Sequence, residues 1–537
     1  MNLPPLGSWL ALWLVVCPLA TAIEIRDYDE SDINGSQKWL LHIPGQWLWG
    51  HPPYVNPAFT LCSPAKLLGI GWPETNQEWT RQIALISPRH AVYATHYLLD
   101  PGWQINYLGS DGQQHALTIE SQTPVINSQG QQTDLMLVTF TTPMTAAGVK
   151  PFKVLNLANE TDYQNKPLLV CGSFVTAATT KLDGFTTLSN DPGFDTTRFI
   201  YFNYKNNGTT TSDPVHTCKI TPGDSGGPVM VMENGEPLIV GVISSYDELA
   251  HFVTRSYACS LPSYLPELDT LMEAKGYHIT RSQPASTAVS VQAAASAVLK
   301  PAQSGSITFT TANTGSAAAH NIALQLTFSS APTGVSGTGW ICEAVSSTVW
   351  NCHRGGLATG ANASLTANWN ILPNAPHLKI TTEKSYDGAT SSTQEAILPI
   401  QQNYTSWVQG AADTAQNADP DHDGISNAVE FALGGSPVQA SRLSIYGNTQ
   451  LPQVEKSGNQ LLFKYPHRTD AAARGIVDEV EYSTSLTSGS WDTVSPAGTV
   501  IQSTPFIPAV PGFEQVTVSI PANVPKRFMR MRISVTE

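Results

Sequence analysis

Charge is scarce in this chain, where only 13% of residues are Asp, Glu, Lys or Arg. The few charges lean acidic, with 42 Asp and Glu against 28 Lys and Arg, and no basic run or basic patch interleaved with aromatics occurs. Polyphosphates and anionic lipid surfaces find no basic patch to meet them, which argues against nucleic acid and anionic membrane as partners. Long apolar runs are missing after the first twenty or so residues, which leaves no candidate for an integral membrane segment in a processed chain. No Cys-x-x-Cys pair occurs, which argues against zinc or redox chemistry.

What is present begins with a short apolar stretch from Trp9 to Val16, followed by Pro18 and the small-x-small sequence Ala20-Thr-Ala22. This reads as a secretory signal over residues 1–22, although its leading segment lacks Lys and Arg. A lipoprotein reading of Cys17 is disfavoured by the bulk of Val16 before it. Signal removal would take Cys17 away and leave six cysteines, an even number in an exported chain, so disulfides are expected. Cys342 and Cys352 are close enough in sequence to close a local loop. At 537 residues the chain needs three or more separate cores.

The most specific stretch is Pro222-Gly-Asp-Ser-Gly-Gly-Pro-Val229. Gly223 lets an exposed N–H approach a substrate carbonyl, and Gly226 and Gly227 are expected to clear bulk from around Ser225. The bland alternative is a glycine-rich turn between two strands. A serine nucleophile also needs an imidazole to take its proton and a carboxylate to orient that imidazole. Ile83-Ala-Leu-Ile-Ser-Pro-Arg-His-Ala-Val-Tyr-Ala-Thr-His96 reads as two apolar strands around a Ser-Pro turn, the second ending in His96. Thr133-Asp-Leu-Met-Leu-Val-Thr-Phe140 places Asp134 at the head of another strand. His90, beside the turn, is the competing base and is expected to lie on the surface.

With Ala94-Thr-His96, Asp134-Leu-Met-Leu137, Gly223-Asp-Ser-Gly-Gly-Pro228 and Ile239-Val-Gly-Val-Ile-Ser-Ser245 in this order, residues 45 to 280 resemble the chymotrypsin-like (trypsin-like) serine proteases. Ser263 to Gly276 is similar to that family's C-terminal helix. The resemblance implies a double β-barrel, the triad His96, Asp134 and Ser225, and an oxyanion hole formed by the N–H groups of Gly223 and Ser225. It implies a substrate pocket at Lys219, Ser244 and Tyr246. A Lys219 ammonium at the pocket base would favour acidic substrate side chains; if Lys219 faces solvent or pairs with Asp247, a small neutral pocket remains. The family's bridge across the pocket implies Cys218 to Cys259, with Cys62 and Cys171 as the remaining pair. One departure concerns activation. The Ile-Val-Gly-Gly terminus of animal members has no counterpart before His96, and signal cleavage would expose Ile23 in a sequence without glycines. Asp224, which that terminus would otherwise meet, is therefore expected to be held by internal donors.

Beyond the helix near residue 276 the composition shifts to Ala, Ser, Thr and Val, and short strands recur at regular spacing, the pattern of a β-sandwich. Trp340-Ile-Cys342 and Trp350-Asn-Cys352 resemble an immunoglobulin-like module of exported bacterial proteins. In Asp419-Pro-Asp-His-Asp-Gly-Ile-Ser-Asn-Ala-Val-Glu430, Asp419, Asp421 and Asp423 alternate, Gly424 permits a sharp turn, and Asn427 and Glu430 stand ninth and twelfth. With the Ile425 carbonyl seventh, this is the spacing of a calcium loop, and a structural ion is expected; an acidic solvated turn is the alternative. His422 needs no metal role.

The expected organisation is a signal peptide (1–22), a protease domain (23–280), an immunoglobulin-like sandwich (281–404), a calcium-loop segment (405–438) and a C-terminal β module (439–537). The expected function is a secreted, cell-surface or periplasmic serine endopeptidase acting on proteins or peptides, needing no cofactor for catalysis. A noncatalytic adhesin using the barrel as scaffold is the alternative.

Overall fold

Short runs rich in Val, Ile, Leu and aromatics, each broken by Gly, Pro or Asn turns, make this a mainly β chain. The computed structural model describes residues 24–25, 41–42, 54–55, 62–73, 81–97, 99–172, 176–188, 196–204, 218–249, 252–440, 451–487, 489–493, 499–506, 512–522 and 528–536. The expected signal peptide lies outside them.

The first sheet closes into a six-stranded antiparallel barrel in the order Ile70–Pro73, Ile83–Ser87, His90–Tyr93, Gln132–Phe140, Gln114–Ile126, Gln104–Leu108, back to Ile70–Pro73. Closure removes the exposed edges that a flat sheet would leave unpaired. Leu85, Val92, Tyr107, Leu137 and Phe140 are among the barrel's buried core residues. A second sheet of eight strands includes Pro167–Gly172, Pro228–Glu233, Glu236–Leu249 and Phe252–Ser260 as consecutive neighbours. Val170, Ile200, Phe202, Val229 and Val240 form its own core. This is the double β-barrel architecture. The helix Leu265–Met272 follows, and Gly276, at φ 75°, ends the short 3-10 turn after it in the left-handed conformation.

Residues 289–399 form a β-sandwich. One sheet runs Val289–Ala295, Gly305–Asn313, Asn362–Trp369, Gly334–Ser336, and the other Ile341–Ala344, Val349–Leu357, Ala319–Phe328, His377–Ser385, Ser392–Pro399. Ile307, Phe309, Leu324, Leu326, Leu365 and Trp369 alternate inward between the sheets. Cys342 and Cys352 face each other across paired strands and are joined by a disulfide. A further core gathers the helices Tyr404–Trp407 and Asn427–Leu433 against strands Gln460–Arg468, Phe513–Pro521 and Phe528–Val535. Among the described residues no helix is long and apolar enough to cross a membrane.

Candidate active site

Asp134 sits on the strand Gln132–Phe140, which is buried along almost all its length because it lies at the seam of the two barrels. Its backbone N–H donates to Thr197 Oγ1 at 2.8 Å, and Cys259 Sγ lies 2.9 Å from its carbonyl oxygen, so side chains of the second barrel take the place of sheet partners. The carboxylate accepts the His96 backbone N–H at 3.0 Å and faces His96 Nδ1 at 2.8 Å from Oδ2. Ser244 Oγ donates to the same Oδ2. These donors compensate a carboxylate whose side chain is only 3% exposed.

His96 follows the strand His90–Tyr93, and the Thr95 N–H bonds the Asp134 carbonyl, which ties the histidine loop to the aspartate strand. The imidazole is about one-third exposed, 35% by side chain, with Nε2 3.0 Å from Ser225 Oγ. Sequence-distant His96, Asp134 and Ser225 thus form one hydrogen-bonded line. A carboxylate on Nδ1 selects the tautomer with Nδ1–H and leaves Nε2 as proton acceptor.

The nucleophile loop has Gly223 at φ 102° and Gly226 at φ 91°, conformations that favour glycine. Asp224, Gly226 and Gly227 donate their N–H groups to Thr221, Ile243 and Asp224 carbonyls. Among the described residues, the N–H groups of Gly223 and Ser225 bond no protein acceptor. That pair of donors is what an oxyanion needs. Asp224 is buried and accepts Thr221 N–H at 2.7 Å and Thr221 Oγ1 at 3.0 Å, which are internal donors. Beside this loop, Glu24–Ile25 pairs antiparallel with Cys218–Lys219.

The structure corrects the expectations for Gly226, Gly227, His90 and the cysteine pairs, and it gives the surroundings of the proposed pocket residues. Gly226 and Gly227 do not clear space around Ser225: a Cβ on Gly226 would meet the Gln82 carbonyl at 2.6 Å and one on Gly227 the Cys171 carbonyl at 1.9 Å, so both serve backbone packing. Ser244 turns its hydroxyl to Asp134, and its carbonyl accepts Ser225 Oγ at 3.3 Å. Lys219 Nζ stands 5.3 Å from the centroid of the Tyr204 ring, and Asp247 Oδ2 accepts the Tyr257 hydroxyl instead of pairing with Lys219 among the described ion pairs. Tyr246 is half-buried against the second core. His90 is fully buried, not a surface residue; Nδ1 lies 2.7 Å from Ser87 Oγ, and burial, with Arg89 and Lys275 nearby, pushes its pKa down to about 3. Cys218, Cys259, Cys62 and Cys171 are free thiols. Cys218 packs into the second barrel's core while Cys259 points into the seam beneath Asp134, so the two face different clusters. Cys171 is fully buried and Cys62 packs against the same cluster without bonding to it.

Sequence reasoning missed Thr197 and Cys259. Their contacts with Asp134 join positions far apart in the chain, and neither residue type signals such a role.

In the C-terminal half, carboxylate oxygens of Asp419, Asp421 and Asp423 lie within 4.8 Å of one another. His422 at φ 62° and Gly424 at φ 86° bend the backbone around them, and Asp419 accepts the N–H groups of Asp423 and Gly424. Glu430 and Asn427 come from the helix Asn427–Leu433, and both are fully buried. Glu430 Oε2 and Asn427 Oδ1 are buried acceptors with no donor. Burial, with Asp421 and Asp423 next in effect, raises the Glu430 pKa to about 8. Donor-less buried oxygens on Asp421, Asn427 and Glu430, together with the clustered aspartates, are an all-oxygen set that fits a hard dication. The Ile425 carbonyl falls in the same turn.

No family model and no curated protein matches the chain. Among solved structures, it is similar to the secreted serine protease VesC from Vibrio cholerae at 11% identity and a TM-score of 0.28, over 87% of this chain and 97% of that one. It is also similar to neuropsin, a serine protease expressed in the limbic system of mouse brain, at 15% identity and a TM-score of 0.28, over 39% of this chain and 97% of that one. Both of these structural neighbours are serine proteases.

Proposed function

We propose that the chain is an exported serine endopeptidase acting on proteins or peptides through Ser225, His96 and Asp134. The observation that carries this reading is the continuous line from Ser225 Oγ through both His96 nitrogens to Asp134, with hydrogen-bond distances at each step. Ser225 Oγ attacks the scissile carbonyl carbon while His96 Nε2 takes its proton. The carbonyl oxygen becomes an anion beside the free N–H groups of Gly223 and Ser225. Collapse breaks the C–N bond, His96 returns the proton to the leaving amine, and an acyl-Ser225 ester remains. Water, deprotonated by the same nitrogen, attacks the ester and restores the serine. Asp134 stabilises the imidazolium in both halves without taking its proton.

The accessory β modules after residue 281 serve as spacers or adhesive elements in this reading. Calcium would be held by Asp419, Asp421, Asp423, the Ile425 carbonyl, Asn427 and Glu430, where it supplies positive charge to a buried acidic turn and takes no part in peptide hydrolysis.

A fluorophosphonate or sulfonyl fluoride probe tests the reading, with a covalent adduct mapping to Ser225 as the expected result. Ser225→Ala and His96→Ala should each lower kcat by about four to six orders of magnitude while the near-ultraviolet circular dichroism is kept. A folded protein that takes no label and cleaves no protein substrate would establish the noncatalytic scaffold instead.

A further inference from the structure

We propose that Asp269, His278 and His320 form a binding site for a transition-metal dication of the zinc class where the protease body meets the β-sandwich. Asp269 lies on the helix Leu265–Met272, His278 on the segment after it, and His320 on the sandwich strand Ala319–Phe328. The two Nδ1 atoms are 2.8 Å apart, and Asp269 Oδ2 lies 3.7 Å from one and 3.9 Å from the other. Three atoms with these separations lie on a circle of radius about 2 Å, so one ion at its centre meets all three at the usual zinc–nitrogen and zinc–oxygen distances. Two imidazole nitrogens facing each other this closely need a proton or a cation between them.

The surroundings favour the cation. His278 Nε2 bonds the Glu273 carboxylate, which fixes the tautomer that turns the Nδ1 lone pair toward His320. The His278 ring is held in place by missing side chains: a Cβ on Gly356 would stand 2.4 Å from the ring, and one on Gly355 2.4 Å from Glu273 Oε2. Asp269 Oδ1 accepts the Ile279 N–H and Oδ2 accepts Arg281, so its orientation is also set, with a lone pair of Oδ2 left over. Asp269, Glu273 and the nearby Asp387 gather three carboxyl groups around the imidazoles, with Arg281 and Lys153 as the nearby cations, an acidic setting that favours a bound cation. Asp387 is linked to the cluster through Asn321, whose oxygen takes the His278 N–H. The side chains are 10 to 20% exposed, which leaves an ion a way in. Two nitrogens and one carboxylate suit zinc, cobalt or nickel rather than calcium. The ion would fasten His320 of the sandwich to Asp269 and His278 of the protease body.

The test uses the full chain, stripped with chelator and then kept in excess calcium so that the acidic loop is filled. Titration with Co2+ is expected to give one equivalent of binding with a visible ligand-field band, which Zn2+ displaces. Glu273→Gln should weaken binding by about 10- to 100-fold. His278→Ala should abolish the band, as should His320→Gln, which keeps a polar side chain at a partly exposed strand position and leaves the fold intact by circular dichroism. Asp423→Ala should leave the band unchanged. Absence of any band in the wild-type chain, or a band that survives both histidine substitutions, overturns the site and leaves a plain hydrogen bond between two histidines.

Discussion

Gly223 and Gly227 look alike in the sequence, and the structure separates their roles. Gly227→Ala drives a Cβ against the Cys171 carbonyl, a backbone atom that cannot move aside, and is expected to destabilise by about 3 kcal/mol or more, measured by denaturant unfolding. Gly223 has open space around it but a φ of 102°, so Gly223→Ala strains the turn by about 1–2 kcal/mol. In the proposed mechanism that turn aims one oxyanion donor, so kcat should fall by about 10²- to 10³-fold, a far larger effect on rate than on stability. His90 makes a pH prediction with a definite sign. The folded protein holds it neutral down to about pH 3, whereas the unfolded chain protonates it near 6.5, so the unfolded state binds more protons between these values. Its contribution is therefore fully present above pH 6.5 and is lost as pH falls toward 3, by up to about 1.4 kcal/mol per pH unit. Replacing it in His90→Gln should flatten the acid limb of a melting-temperature profile between pH 6.5 and 4; an unchanged limb would show that His90 does not titrate in this way. On the proposal that Lys219 forms the base of the substrate pocket, with a cation and no carboxylate there, cleavage of a peptide library after Arg or Lys should run at least about tenfold below the preferred residue.

At the scale of elements, the helix Asn427–Leu433 links the acidic turn to a core. Its Glu430 faces the carboxylates while Phe431 packs into the C-terminal cluster against Trp407 and Tyr404. Glu430 Oε1 accepts the Ser436 N–H, Gly434 caps the helix at φ 88°, and Arg468 bonds the Phe431 carbonyl, so moving the carboxylate moves the helix end. Calcium is accordingly expected to raise the melting temperature of this core, and Asp423→Ala should remove the response; a full response in that variant would place the ion elsewhere. Disulfides follow the same element logic. Cys342 and Cys352 are register partners on adjacent strands, whereas Cys218 and Cys259 lie on strands that face different clusters. Alkylation after unfolding without reductant should tag Cys62, Cys171, Cys218 and Cys259 and spare Cys342 and Cys352.

For the whole molecule, separate hydrophobic clusters mean that stress on one need not reach another. Calcium removal should therefore melt the C-terminal cluster while the serine-directed probe still labels Ser225, read by differential scanning calorimetry and labelling on the same sample. Much of this organisation could be read in one dimension. Alternating β-formers broken by turns, the glycine-rich serine loop and the Asp-x-Asp-x-Asp-Gly spacing are local patterns, and local backbone chemistry carries their meaning wherever they occur. The order of His96, Asp134 and Ser225 named the candidate group for the same reason. Tertiary structure alone decided what depends on approach between distant segments. It turned Ser244 and Thr197 onto Asp134, sent Cys259 beneath the aspartate instead of to Cys218, and buried His90, whose neighbours in sequence suggested a turn at the surface. It also brought His320 of one module against His278 of another. Side-chain partnerships of this kind are set by which strands share a barrel, a seam or a junction, and sheet pairing across a hundred residues leaves no mark in the local sequence.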